Sequence, residues 1–394
     1  MFEAQYQLAK IRETVRRVRL HSPFYKERLR TVTEDEIRST GDLQRLPFTT
    51  ADDLIAHSAQ FLCVSQSEVS RVVTVDTSGT TGRPKRVYFS TEDQELTVDF
   101  FHHALTAFAT AKDRILIGLP AGRPGSAGDL LTQAVERLGA TPIALSDPDQ
   151  EQATCIIGIP VQVLALANRG NLRRIECVVL CSDHVSDGLV DALKQAWGCE
   201  VFEHYGMTEM GLGGGVDCAA HSGYHLRERD LYFEIVDPET GVPVPAGHCG
   251  EIVFTTLTRK AMPLIRYRTG DISRLLPGSC ACGKISPRLE RVRARKSEPV
   301  NLSPHGELSI ADLDDRLFAI SGVNDFAASL APGKLTITAS TSRTGLEGQM
   351  LCALRSVPAI SRASAAGDLT IDVKIAPGPF RPTSEKRRIQ CCTS

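Results

Sequence analysis

The stretch Ile175–Gly206, "IECVVLCSDHVSDGLVDALKQAWGCEVFEHYG", decides the fold. Its first seven residues make a short, β-branched apolar run, which reads as a strand buried on both faces. Asp187–Gly198 then takes helical spacing and stops at a glycine, and "EVFEHY" returns to a strand. A helix between two buried strands is the crossover that a parallel pair needs. The same unit stands upstream: "RILIGLP" (Arg114–Pro120) precedes the helical "GDLLTQAVERLGA", and "ATCIIGIP" precedes "VQVLALANRG". The alternation predicts an α/β fold with helices on mixed or parallel sheets and a ligand crevice at the strands' carboxyl ends.

From about Tyr224 the texture changes. "LYFEIVD" and "GEIVFTTL" flank a turn-rich connection and predict an antiparallel hairpin. Beyond Arg295 a small α+β domain is expected, with helix "SIADLDDRLFAI", strands "DFAASL" and "KLTITAS", helix "LEGQMLCALRS" and strand "TIDVKI". A first strand at the boundary would make it βαββαβ. The domains are therefore read as 1–294 and 295–394, with the tail "APGPFRPTSEKRRIQCCTS" polar and mobile.

Composition narrows the function. The 394 residues are 42% hydrophobic and 23% charged, enough for real cores, and the net charge of −2 gives no broad attraction to nucleic acid or anionic lipid. A small-molecule partner is expected, with neither nucleic acid nor membrane. No apolar run reaches the roughly 18 residues of a membrane helix, and the first twenty residues read as an amphipathic helix, so a cytoplasmic protein is expected. The 12 cysteines are scattered, which in such a chain favours reduced buried thiols or metal ligands.

"TSGTTGRPK" (Thr77–Lys85) offers tight glycine turns, hydroxyls and a lysine, the materials of a polyphosphate cradle. It is not a Walker loop, because Gly79 and Gly82 stand three apart and Pro84 precedes Lys85. In order along the chain it is followed by "YGMTE" (Tyr205–Glu209), "YRTGD" (Tyr267–Asp271) and "TSEKRR" (Thr383–Arg388). This set resembles the signature of acyl-adenylate-forming, AMP-dependent ligases. "SPFYKERL", "LPFTTADDL" and "TTLTRKAMPLIRYRTGDISRLLPGSCACGKISPRLERV" resemble phenylacetate-CoA ligase and its relatives.

The resemblance implies a large N-terminal domain for ATP and the acid, and a mobile C-terminal domain that rotates between two half-reactions. A carboxylate attacks the α-phosphorus of ATP, and coenzyme A then takes the acyl group. Matched by motif, Thr77, Ser78, Gly79, Thr80, Thr81, Gly82 and Lys85 hold the β and γ phosphates. Thr208 and Glu209 sit by the α-phosphate, with Glu209 on Mg²⁺. Glu203, His204, Tyr205 and Gly206 line the adenine and acyl pockets, Asp271 accepts from the ribose hydroxyls, and Arg295 assists at ribose or phosphate. Lys386 is the mobile lysine that offsets charge between carboxylate and α-phosphate. Relatives of this kind are often dimers, so a homodimer is possible.

"SCACG" and "CAAHSGYH" supply Cys280, Cys282, Cys218, His221 and His225. Three thiolates and one imidazole suit closed, structural zinc. The resemblance selects Cys218, His225, Cys280 and Cys282, with His221, His248 and Cys249 in reserve. One departure stands out: the hinge reads "ARKSEPVNLSPHGE", with Ala294 for the usual glycine and Ser297 and Glu298 for the usual aspartates. Adenylation is thereby better supported than transfer to coenzyme A. A carrier-protein thiol, a hydroxyl acceptor of AMP, and a nucleotide-binding, zinc-stabilised regulatory protein without turnover are the competing readings. The acid is expected to be small or aryl.

Overall fold

A computed structural model describes residues 2–75, 84–292, 294–295, 299–376 and 387–391, with the side chains of 2, 294 and 295 excepted. The chain divides into two units, each assembled from separated segments: 1–108, 120–137 and 204–292 in the first, and 109–119, 138–203 and 293–394 in the second.

The first unit begins with helices Phe2–His21 and Pro23–Arg28, the latter capped by the Ser22 side chain. Strands Arg71–Val75 and Lys85–Phe89 pair antiparallel, so Lys85 opens the strand that leaves the glycine-rich loop. Helix Thr91–Leu105 follows at once. Ser90 and Asp93 close its first turn as a reciprocal capping box, which satisfies the free N–H groups there. The predicted hairpin is present: Leu231–Val236 pairs antiparallel with Gly250–Thr256, which pairs in turn with Tyr267–Ser273. The core of this unit includes Phe24, Tyr25, Phe61, Phe254 and Tyr267, with Phe24 stacked on Phe61 at 4.0 Å.

In the second unit the strands read from the alternating pattern form a parallel sheet. Arg114–Gly118 lies between Thr141–Ala144 and Cys155–Gly158, and Cys177–Leu180 and then Glu200–Tyr205 extend the row. Burial explains the sequence: every residue of 155–158 and 177–180 is buried, hence the continuous apolar runs. Helices Pro160–Arg169 and Asp187–Trp197 are the crossovers. Each ends at a left-handed glycine, Gly170 and Gly198.

The C-terminal elements belong to this second unit. Helix Ile310–Leu317 precedes the antiparallel strands Val323–Ala331 and Lys334–Thr341, and Thr370–Ile375 adds in parallel to the latter. Two expectations change. The boundary strand lies outside this sheet: Ala294–Arg295 is not one of its strands, and among the described residues Val300–Asn301 pairs only with Glu307–Leu308 in a separate small ladder. The sheet's other edge is taken by Ile389–Cys391, parallel to Ala328–Leu330, within the segment read as a mobile tail. Three residues are too few to show alternation in sequence. Helix Pro358–Ala365 was likewise missed, since small residues dilute its apolar face.

These elements pack on the crossover helices of the same unit. Leu189 and Leu193 share one buried cluster with Leu313, Leu317 and Phe318. Gly188 is where the approach is tightest: a Cβ there would meet the backbone N of Ala319 at 2.8 Å and its Cα at 3.0 Å. Gly188→Ala therefore sets a helix-propensity gain of up to about 1 kcal/mol against a backbone clash. We expect net destabilisation of about 1–3 kcal/mol, read as a lower melting temperature; a higher one would refute this packing.

Candidate active site

The site grows from the turn after strand Glu200–Tyr205. Gly206 is required by close approach, because a Cβ would lie 2.2 Å from the Leu212 carbonyl oxygen. The chain then folds into a short 3₁₀ turn, Thr208–Met210, which ends at left-handed Gly211. Arg259 braces that turn: its guanidinium donates to the Glu209 carbonyl oxygen at 2.9 Å and lies over the Phe89 ring at 4.8 Å. Asp93 fixes the neighbouring segment by accepting from the N–H groups of Lys260 and Ala261, at 2.7 and 3.0 Å.

Three sequence-remote segments meet at Glu209. Lys85 forms an ion pair with Glu209 Oε1, and the Tyr267 hydroxyl donates to that same oxygen at 3.0 Å. Lys85 Nζ also lies 3.4 Å from the Tyr267 hydroxyl. The pair is sheltered, with the side chains of Lys85 and Glu209 12% and 5% exposed. Burial alone would raise the Glu209 carboxyl, but Lys85 and the hydrogen bonds hold it below the ordinary value of 4.5. The pair is thus complete above that value and is lost as pH falls through the lower folded one.

A second link joins "YGMTE" to "YRTGD". The Tyr205 hydroxyl donates to Asp271 Oδ2 at 2.9 Å, and Tyr205 stacks on Tyr224 with centroids 5.8 Å apart. Asp271 is 1% exposed and follows left-handed Gly270. Upstream, Arg266 anchors the strand start by two hydrogen bonds to Glu234 and by donating to the carbonyls of Gln44 and Leu46.

His204 sits beside Phe100 and Phe101, with ring centroids at 5.9 and 6.0 Å. Burial, with Arg227 adding to it, pushes its pKa down to about 4, so the imidazole is neutral at physiological pH. Glu203, buried, lies on the second unit's share of the same strand, in register with Leu180. Of the residues read from sequence, Lys85, Tyr205, Glu209 and Asp271 are joined by these contacts, and Thr208 lies on the same turn. Thr77, Ser78, Gly79, Thr80, Thr81, Gly82 and Lys386 lie outside the described residues, and of Arg295 only the backbone strand is described. Tyr267 and Arg259 were not singled out. Both stood inside stretches quoted for the resemblance, the first in "YRTGD" and the second in "TTLTRKAMP", but no spacing marked the second as a brace for the turn at 208–210.

The cysteine cluster also assembles in the first unit. One ligand atom each from Cys218, His225, Cys280 and Cys282 lies within 4.8 Å of the others. Cys218 Sγ is 3.6 Å from Cys280 Sγ, and Cys282 Sγ is 3.3 Å from His225 Nε2. His225 Nδ1 meets Ser286 Oγ at 2.8 Å, the outer contact that orients a ligating imidazole. His221 instead pairs with Asp217 at 2.7 Å. Among the described residues His248 and Cys249 are not in the group.

The family described as AMP-binding enzyme matches residues 36–257. The phenylacetate-coenzyme A ligase of Thermus thermophilus is 31% identical over 299 residues, 70% of this chain and 66% of that protein. The Pseudomonas putida protein of the same name is 30% identical over 314 residues, 72% of this chain and 70% of its own length. This chain thus spans about two thirds of the relatives it matches. Among solved structures, 2-hydroxyisobutyryl-CoA ligase in its postadenylation state superposes with a TM-score of 0.80 at 19% identity, covering 99% of this chain and 89% of that one.

Tyr205→Phe removes the donor to a buried carboxylate. The expected cost is about 1–3 kcal/mol of stability, measured by denaturant unfolding. An unchanged midpoint would show that the Tyr205–Asp271 bond contributes nothing.

Proposed function

This chain belongs to the AMP-binding enzyme family, with the phenylacetate-CoA ligases among its relatives, and we propose that it joins a small or aryl carboxylic acid to coenzyme A through an acyl-adenylate. The observation that carries the reading is the meeting of Lys85, Glu209 and Tyr267, together with the Tyr205–Asp271 link. It brings three of the family's motifs to one place in the first unit.

The chemistry needs no nucleophile from the protein. A carboxylate oxygen attacks the α-phosphorus of ATP, the bond to the β-phosphate oxygen breaks, and pyrophosphate leaves. Positioning and charge neutralisation supply the catalysis. Thr77–Gly82 cradle the β and γ phosphates, and Lys85 exchanges Glu209 for a phosphate oxygen. That exchange frees a hard carboxylate, which suits Mg²⁺; bound there, the ion would offset phosphate charge. Asp271, its other oxygen held by Tyr205, accepts from the ribose hydroxyls, and Arg295 assists nearby. Neutral His204, with Phe100 and Phe101, borders the acid and favours an aromatic or compact side chain. Lys386 places its ammonium between the carboxylate and the α-phosphate. The thiol sulfur of coenzyme A then attacks the anhydride carbonyl, AMP departs, and the thiol proton is released.

Cys218, His225, Cys280 and Cys282 fit a zinc ion in number, type and spacing. A metal held by these four ligands would have no open position, so its role would be structural, tying the segment after "YGMTE" to the loop after "YRTGD".

A carboxylate screen for ATP-dependent pyrophosphate release, with and without coenzyme A, tests the reading. Phenylacetate or a related acid should give AMP and an acyl-CoA by mass spectrometry. Acyl transfer to a carrier-protein thiol, or AMP transfer to a hydroxyl, would overturn the acceptor, and ATP binding without any pyrophosphate release would favour the regulatory reading. Elemental analysis should find about one zinc per chain and under half that in Cys280→Ser; equal content in both would remove the site.

A further inference from the structure

Arg387 enters the C-terminal part of the second unit as a part-buried cation with several partners, its side chain 14% exposed. Its Nη1 donates to Asp314 Oδ1 at 2.6 Å and its Nη2 to the Phe326 carbonyl oxygen at 3.2 Å, while Nε lies 3.5 Å from Asp325 Oδ1. The guanidinium carbon stands 4.8 Å from the Phe318 ring centroid and 4.3 Å from that of Phe326. Asp314 comes from helix Ile310–Leu317 and Asp325 and Phe326 from strand Val323–Ala331, so the contacts fix Arg387 from two elements. Two residues on, Ile389–Cys391 lies parallel to Ala328–Leu330.

This arrangement is costly. Asp314 is 1% exposed, and burial pushes its pKa up to about 7 against the pull of Arg387. The negative charges of Asp183 and Asp315 push it the same way. A buried ion pair is weak support for stability by itself, since desolvation offsets most of its attraction. A three-residue edge strand could be held by apolar contacts alone. What the guanidinium adds is geometric: bonds in three directions and two ring faces define where the backbone of residue 387 must lie.

The residue bonded to Arg387 is Lys386, and consecutive Cα atoms are about 3.8 Å apart. A lysine has a flexible stem, whereas a misplacement of about 1 Å at a reacting centre can cost about a hundredfold in rate. We propose that Arg387, clamped by Asp314, Asp325, Phe318 and Phe326, is a positioning residue that fixes the base of the adenylating lysine. The inference rests on the role given to Lys386 above. It also explains why the cation follows the lysine directly: an anchor farther along the chain would leave more rotatable bonds between clamp and ammonium.

The test separates the half-reactions. Lys386→Ala, Arg387→Met, Arg387→Lys and Asp314→Asn are assayed with phenylacetate, or with the acid that the screen above selects in its place. Adenylation is followed by pyrophosphate exchange, and thioester formation by supplying the synthetic acyl-adenylate with coenzyme A. Arg387→Met should lower the adenylation kcat about 10- to 100-fold. The KM for ATP and the rate from supplied acyl-adenylate should stay within about twofold of the parent. Arg387→Lys should recover part of the loss, because it keeps the charge while losing the fork. Asp314→Asn should fall between, and it carries the test if Arg387→Met does not fold. An unchanged adenylation rate, or an equal fall in both half-reactions, overturns the proposal. If Lys386→Ala itself keeps adenylation, the lysine reading fails and this inference with it. Loss in Lys386→Ala beside full activity in Arg387→Met removes only the clamp.

Discussion

A largely sheltered lysine held against a buried glutamate is the constraint on which the site depends. Each charge alone would be costly at this depth, so each requires the other or a replacement of equal chemistry. The Tyr267 hydroxyl on the same carboxylate oxygen, and Arg259 on the backbone behind it, leave Glu209 little freedom. The strand that follows the glycine-rich loop, the turn after the parallel strand and the start of "YRTGD" are thereby set in one register. A polyphosphate offers Lys85 the replacement anion, which gives the pair its proposed function as a preset, exchangeable contact.

The parallel strands were legible because they are buried on both faces and are continuous apolar runs. Thr141–Ala144 was not: it is four residues long, carries Pro142 and occupies the sheet edge, where proline is tolerated. Ile389–Cys391 escaped for a similar reason and also stood in a charged, proline-rich context. At the site, Lys85, Tyr205, Glu209 and Asp271 could be read because they sit in spaced motifs. Arg259 could not, since a lone arginine in "TRKAMP" carries no local pattern and its role appears only when the chain folds back on the turn at 208–210. Arg387 shows the same limit: adjacent arginines in a tail read as solvated charge until Asp314 is seen beneath one of them.

The two chemical clusters outside the Lys85–Glu209 contact share a logic. Cys218, His225, Cys280 and Cys282 gather donors from two distant segments at one point. Asp314, Asp325 and Arg387 do the same for the chain end that follows Lys386. In both places polar groups are buried for position, and apolar area alone would not define the geometry. The hinge segment with Ala294, Ser297 and Glu298 lies between these clusters in sequence.

The most direct measurement is a crystal structure with a non-hydrolysable ATP analogue and Mg²⁺. The account predicts the triphosphate against Thr77–Gly82, with Lys85 Nζ moved from Glu209 to a phosphate oxygen and the ribose hydroxyls on Asp271. An analogue bound elsewhere, with the Lys85–Glu209 pair intact, would contradict it.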